Sequence, residues 1–486
     1  MRRAILASLS IGVLLAGCGS SSSSSGGTRD TELSYFPPGA PFVALLQTDP
    51  NGQPVQDANA FVGRFPFGKL GIAALESSLS RRGVDYQRDI KPLLGNPVAL
   101  GAASGSNFSG SHFLLVFVAK DAGKLKALTT RSPAPQAVGD FDGAKLYQSG
   151  SYALALDGAT AVLSSTVDDV KAALDRHTHH AGISTAAFTK ALSGLPQDTI
   201  LQVYGSLAGV LSTQRAANAR RVPWVAAIRS FGASVRVDSN GVSVQYRVDT
   251  SGSTLSADQL PLPSGAGAPN VSVQAPIAAG VNDLSHLISF VLSAEQATDP
   301  AKYAAFLKRQ ARVARRTGVE ATRDIYPQFT GNLEIDYNPP TVLARADLKD
   351  PVAAARTLSK LGTSAGDLAS APKKITSIGG GFFAMRSGKR TVNYGIVANR
   401  LVLGTASPAQ LRTFAAAPES PVAGAQGPAA FRLSVGSLVS LGLAASHKAS
   451  ALPPAARAIF NLFGDITGWA ANDPNGLHGS LSVALK

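Results

Sequence analysis

Short apolar runs broken by turn-forming residues set the rhythm of the chain. The first, Phe42–Thr48, reads as an extended segment. A helical pattern follows and closes at Arg81-Arg82-Gly83, with glycine where a helix end takes a left-handed residue. Val98–Ala102 and Phe113–Ala119 read as strands and Lys124–Thr129 as a helix. Lys145–Gln148, Tyr152–Leu156 and Ala161–Ser164 then predict a meander with tight turns, Asp157-Gly158 among them. Thr166–Leu174 predicts a capped helix with Asp168 and Asp169 in its first turn, where the helix dipole favours negative charge. Strand Ile200–Tyr204 and a hairpin, Ser234–Val237 with Val242–Val248 around Asn240-Gly241, complete the stretch. Short neighbouring strands with helices between them predict an α+β fold on antiparallel sheets, not a doubly wound parallel one.

The pattern then runs a second time. Gly83-Val84-Asp85-Tyr86-Gln87-Arg88-Asp89-Ile90-Lys91-Pro92 recurs as Gly318-Val319-Glu320-Ala321-Thr322-Arg323-Asp324-Ile325-Tyr326-Pro327. The spacing from Arg88 to Arg323 equals that from Asn240-Gly241 to Asn475-Gly476. Gly205-Ser206-Leu207 also matches Gly436-Ser437-Leu438, and Phe231-Gly232 matches Phe463-Gly464. A shared spacing over such a distance predicts two tandem repeats, each an antiparallel sheet with packed helices. The Pro/Gly/Ser/Ala-rich stretch Leu260–Pro269 is the natural boundary, giving repeats over 34–260 and 261–486.

The N-terminus carries an address. Arg2 and Arg3 precede an uncharged apolar run, Ala4–Leu15, which is too short for a membrane span of about 20 residues. Leu15-Ala16-Gly17-Cys18 then has the form of a lipobox, so residues 1–17 read as a lipoprotein signal peptide. Cys18 is the sole cysteine of 486 residues, and its thiol is the side chain able to take a diacylglycerol thioether and the acyl chains that go with it. The Ser/Gly-rich stretch that follows reads, over 18–33, as a tether. These features place the protein on a cell membrane or outer envelope, on the extracytoplasmic side.

Composition narrows the chemistry. With 45% apolar and 16% charged residues the chain can bury a sizeable core. One cysteine excludes internal disulfides and cysteine-based zinc sites. Lys+Arg outnumber Asp+Glu by 45 to 31, a net charge of +14. On Lys302–Thr317 the cations Lys302, Lys308, Arg309, Arg312, Arg315 and Arg316 share one side of a helical wheel, with Tyr303, Phe306, Leu307 and Val313 on the other. Lys308, Arg309, Arg312, Arg315 and Arg316 therefore form a candidate contact for anionic lipid or cell-wall polymer. Nucleic acid is not an expected partner of an exported, lipid-anchored protein.

No catalytic motif stands up. Gly362-Thr363-Ser364-Ala365-Gly366 fits G-x-S-x-G, but a helical stretch precedes it where a nucleophile elbow needs a strand. Gly63–Lys69 has the G-x-x-x-x-G-K skeleton, yet Leu70 stands where a hydroxyl should hold magnesium. His177, His179 and His180 read as a solvated helix end rather than a metal site, and no cofactor or metal is implied. Two carboxylates meeting in a cleft would suffice for a glycan hydrolase, and no motif marks such a pair. The sequence favours a non-enzymatic binding or scaffolding lipoprotein, with a carrier of a lipid or apolar ligand as the alternative and an envelope glycan hydrolase using paired carboxylates as the second.

Tyr35-Phe36-Pro37-Pro38, the extended Phe42–Asp49 segment and Asp89-Ile90-x-Pro92-x-x-Gly95 resemble an uncharacterised family of bacterial exported envelope proteins, known as a domain of unknown function. The resemblance spans most of the chain after the signal peptide and implies no catalytic residues. The second half departs from it at Gln328-Phe329-Thr330-Gly331.

Overall fold

The computed structural model describes residues 25–81, 83–104, 112–130, 135–212, 214–250, 255–368, 374–387, 390–439, 461–473 and 475–486. Leu15, Ala16, Gly17 and Cys18 lie outside the described residues. The chain forms two compact units, Met1–Ala216 with Ile228–Asp249 and Ala217–Ala227 with Thr250–Lys486. Each is a mixed α+β body on an antiparallel sheet.

The strands of the first unit are β1 (Val43–Leu46), β2 (Val98–Ala102), β3 (Phe113–Val118), β4 (Gln136–Phe141), β5 (Ala144–Ser149), β6 (Tyr152–Asp157), β7 (Thr160–Ser164), β8 (Leu201–Ser206), β9 (Ser230–Asp238) and β10 (Gly241–Asp249). They lie in the order β4-β5-β6-β7-β3-β2-β1-β8-β9-β10. Its helices are α1 (Ser25–Ser34), α2 (Gln53–Gly63), α3 (Pro66–Ser80), α4 (Ala122–Leu128), α5 (Val167–Thr178), α6 (Thr185–Ala191) and α7 (Ala208–Leu211). Thr166 caps α5 by accepting from the Asp169 amide, and Gly83 takes φ +73° just past α3.

One face of this sheet is a closed apolar core. The row Leu45–Ala99–Val116–Val162 crosses β1, β2, β3 and β7. Val170 and Leu174 of α5, Phe188 of α6 and the Leu33, Tyr35 and Phe36 side chains complete that core. The stretch predicted as tether therefore gives way to helix α1 before residue 34, because Leu33 belongs to the core. The opposite face is also apolar: Leu115 and Phe117 alternate with Leu114 and Val116 along β3 and pack in separate clusters.

The second unit contains β11 (Asn270–Ser272), β12 (Ile277–Asn282), β13 (Asn332–Asn338), β14 (Thr341–Asp347), β15 (Lys374–Gly379), β16 (Phe382–Ser387), β17 (Arg390–Val397), β18 (Arg400–Gly404), β19 (Glu419–Pro421), β20 (Ala429–Ser434), β21 (Phe463–Asp473) and β22 (Gly476–Leu485). Its main sheet runs β15-β16-β17-β18-β14-β13-β12-β20-β21-β22, while β11 and β19 form a separate pair. The helices are α8 (Pro223–Ala227), α9 (Leu284–Thr298), α10 (Pro300–Thr317), α11 (Pro351–Leu361) and α12 (Pro408–Ala415).

In both units a four-strand meander forms one end of the main sheet and a long hairpin the other. Arg88-Asp89-Ile90 sits in a π-helical turn, Tyr86–Ile90, followed by a 3-10 turn, Lys91–Leu93. Arg323-Asp324-Ile325 sits in the turn Ala321–Ile325, followed by Tyr326–Gln328. In each, the aspartate accepts from the amide four residues back (Asp85, Glu320) at 2.8 Å and pairs with the preceding arginine. Two of the sequence matches do not coincide. Gly232 lies opposite Arg247, whereas Gly464 falls in a register shift between Phe463 and Ile466. Gly205 is inside β8, whereas Gly436 lies beyond the end of β20.

Candidate functional site

On β13 the usual alternation is reversed. Leu333-Glu334-Ile335-Asp336-Tyr337 turns Glu334 and Asp336 inward and leaves Ile335 and Tyr337 44% and 39% exposed. Arg345 of β14 lies directly across from Glu334. The row Gly280–Glu334–Arg345–Val402, crossing β12, β13, β14 and β18, is thus charged at its centre.

Arg345 gathers most of the contacts of this network. Its Nε donates to Glu334 Oε2 at 2.5 Å, Nη1 donates to the Phe414 and Ala417 carbonyls at 2.8 Å, and Nη2 lies 3.0 Å from Glu419 Oε2. The guanidinium also sits 4.8 Å from the Phe414 ring centroid. Arg400 links Glu419 to Asp347, at 2.6 and 2.7 Å, and the Ser272 amide donates to Glu334. Burial, and next the negative charge of Glu334, push the Asp336 carboxyl up to about 7.

Two facing carboxyls, one perturbed, are what a glycan hydrolase would need. Glu334 and Asp336, however, are buried beside the C-terminal carbonyls of α12, and neither lines either of the two cavities described below. They do not face a cleft, and their geometry is that of a core ion network.

The basic helix is α10. Asp299 caps it by accepting from the Lys302 amide, and Gly318 ends it at φ +72°. Lys308, Arg312 and Arg315 are exposed, as predicted. Arg316 is tied to Asp367 and Lys302 to Glu295 of α9. Arg309 is half-buried and stacks 5.9 Å from the Phe306 ring centroid. On the apolar side Val313 is buried and Tyr303 and Phe306 are half-buried, but Leu307 is 42% exposed. The wheel gives a side chain's direction and not what covers it, so Leu307 counts with the outer surface.

Ile325, Phe329, Leu348, Leu358, Ile396 and Leu401 line an almost wholly apolar cavity of about 80 Å³ beneath α11. A wider, polar hollow of about 510 Å³ opens beside Gln274, Asn338, Ser434 and Lys486.

The remaining sequence candidates are held apart. His177 stacks on Tyr35 at 4.3 Å. The Ser34 hydroxyl lies 2.6 Å from the Thr31 carbonyl and is hydrogen-bonded to His177 Nδ1 at 2.5 Å. His179 pairs with Asp175 at 3.2 Å, and His180 takes φ +54° past the helix end. Among the described residues no group of three or more His, Cys, Asp or Glu is placed to hold a metal. Gly362 follows helix α11 directly, and Gly63–Lys69 runs from the end of α2 into α3, so neither has the strand-first setting its motif requires.

Sequence reasoning missed Glu32, Glu334, Arg345 and Glu419. Glu32 of α1 is fully buried, and neither oxygen makes a full hydrogen bond. Burial pushes it up to about 9, with the Val118 backbone and the Arg29 charge only partly offsetting that. The available signal for the network was the register of Glu334 with Arg345 across the Asn338–Thr341 turn.

A family model described as a protein of unknown function, DUF3352, matches residues 3–373. No curated protein matches the chain. Among solved structures, crystal form I of TP0453 is similar at 10% identity, covering 46% of this chain and 81% of that one with a TM-score of 0.27. Crystal form III of TP0453 gives 11% identity, 46% and 82% coverage and a TM-score of 0.27. A likeness at this TM-score carries no argument about the fold.

Proposed function

The chain belongs to the DUF3352 family of proteins of unknown function, and from that premise we propose that it is an exported, lipid-anchored envelope protein that acts by binding rather than by catalysis. The observation that carries this reading is the α9–α10 pair, where unpaired cations stand beside an apolar helix with no fully buried residue. The lipobox Leu15-Ala16-Gly17-Cys18 supplies the anchor, and α10 offers Lys308, Arg312 and Arg315 to an anionic surface of the same envelope. We also infer that the two units arose by duplication. The shared strand order and the paired Arg–Asp turns support this, with the divergence falling on the inward row: Leu45–Ala99–Val116–Val162 in one unit, Gly280–Glu334–Arg345–Val402 in the other.

A carrier of a lipid or apolar ligand is the second reading, favoured by the apolar cavity beneath α11. Its 80 Å³ is well below the roughly 300–1,000 Å³ of ordinary ligand pockets, so it ranks behind surface binding.

Replacing Cys18 with Ser should leave the body folded while blocking its processing or moving it from the membrane fraction to the soluble one. Cell fractionation with a high-salt wash measures this, the wash removing any charge-held protein. A Cys18→Ser chain that is still processed and withstands the wash would show that the anchor is not the thiol.

A further inference from the structure

We propose that the α9–α10 pair seats on an anionic phospholipid bilayer, with α9 among the upper acyl chains and Lys308, Arg312 and Arg315 on the headgroup phosphates. This rests on the reading of α10 as an envelope-facing basic helix and adds the identity of the surface.

Helix α9 is the anomaly. Its fifteen residues, LSHLISFVLSAEQAT, include Leu284, Leu287, Ile288, Phe290, Val291 and Leu292, with no acidic or basic residue before Glu295 except His286. Helices of globular proteins place such residues in a stripe against a core. Shorter helices of this chain do so: α5 buries Val170, Ala173 and Leu174, and α12 buries Leu411 and Phe414. No residue of α9 is fully buried: Leu284, Leu287, Ile288, Phe290 and Leu292 are half-buried, and Val291 is 52% exposed.

The neighbour of α9 supplies the charge. The Lys302–Glu295 ion pair ties α10 to α9 across their junction at Asp299. Lys308, Arg312 and Arg315 point outward from α10, and among the described residues none has an ion-pair partner. Leu307 lies exposed next to Lys308. Cations beside the exposed Val291 and Leu307 and the part-exposed apolar side chains of α9 complement a surface that is anionic outside and apolar a few ångströms further in.

A cell-wall polymer offers the charge and no apolar phase for α9. Fifteen residues fall short of the roughly 20 needed to cross a bilayer, and among the described residues no helix is long and apolar enough to do so. The pair therefore lies on the membrane and does not span it.

The test uses the full chain carrying Cys18→Ser, which removes both the lipid and the sole cysteine. Val291→Cys then gives a single site for an environment-sensitive dye. Its emission should shift to the blue on vesicles containing phosphatidylglycerol and stay unchanged on phosphatidylcholine alone or on a soluble polyanion. Binding should weaken as salt rises to about 0.15 M, where the screening length is about 8 Å. The triple change Lys308→Gln, Arg312→Gln, Arg315→Gln should weaken vesicle binding by about a hundredfold. Val291→Asp should weaken binding to vesicles by about tenfold or more and leave polyanion binding unchanged. All four positions are exposed, and matched melting curves confirm that the fold is intact.

If Val291→Asp binds vesicles as tightly as its parent, or the dye does not shift, bilayer seating is overturned. Polyanion binding that persists in that case keeps the basic-helix reading and assigns the surface to wall polymer. No binding to either probe at low salt overturns both readings.

Discussion

Arg345→Ala should cost the second unit about 3–5 kcal/mol, the range found when one partner of a buried ion pair is removed. The guanidinium holds Glu334 and Glu419 and takes up two carbonyls at the end of α12. Without it, a fully buried carboxylate keeps one backbone amide for company while Asp336 presses on it from the same strand. Urea titration measures the loss as a lowered midpoint. A double change, Arg345→Met with Glu334→Leu, removes both charges together and should recover most of it, because well-packed apolar replacements of buried pairs are neutral or better. A single-variant loss below about 1 kcal/mol would mean the network is solvated, contrary to its burial.

Stability should also fall as pH rises from about 5 to about 9. The sign follows from proton binding. Glu32 is pushed up from 4.5 to about 9 in the folded chain, and burial is the leading cause. Between those values the native state holds a proton that the unfolded chain has released, so raising the pH favours unfolding. The contribution is whole below the unfolded value and is lost as pH climbs through the folded one. Each pH step costs at most about 1.4 kcal/mol, and local water entry reduces that. Asp336, pushed up to about 7, adds a loss in the same direction that ends earlier. Glu32→Gln should flatten the profile above pH 7 and raise the unfolding free energy there by about 1–3 kcal/mol, because the neutral amide needs no proton to be buried. A stability that is level or rises with pH would refute the buried, protonated Glu32.

These two sites were the least legible parts of the sequence. The two hairpins were read in the right places because turn chemistry is local. Gly241 and Gly476, however, pair with Asp238 and Asp473 and so open the returning strands, which puts each loop one residue before the Asn-Gly pair. The Thr166 cap and the glycine after α3 read correctly. The antiparallel α+β class followed from strand spacing. Edge strand β4 went unread because Gly139 breaks its alternation with a bulge. In β13 the period itself was plain, but a period of two gives parity and not direction. Leu333-Glu334-Ile335-Asp336-Tyr337 fits either face, and Arg345, across the turn, supplies the counter-charge that lets its acids go inward. Glu32 carries no local mark at all, since what buries it comes from distant stretches of chain. The α10 cations were legible as a face, and the incomplete burial of α9 was not, because exposure depends on what packs against a helix.

The path of the chain has a consequence for anyone wishing to take the protein apart. Residues 217–227 belong to the second unit although they interrupt the first, whose closing hairpin, β9–β10, comes afterwards. The backbone therefore passes between the units three times. A gene cut at residue 250 would express one half with a stray insert and the other missing α8 and the Arg221 contact to the Thr298 carbonyl. Clean excision needs a short loop spliced across 217–227 in one product and that segment restored in the other, an arrangement that single-site limited proteolysis cannot produce.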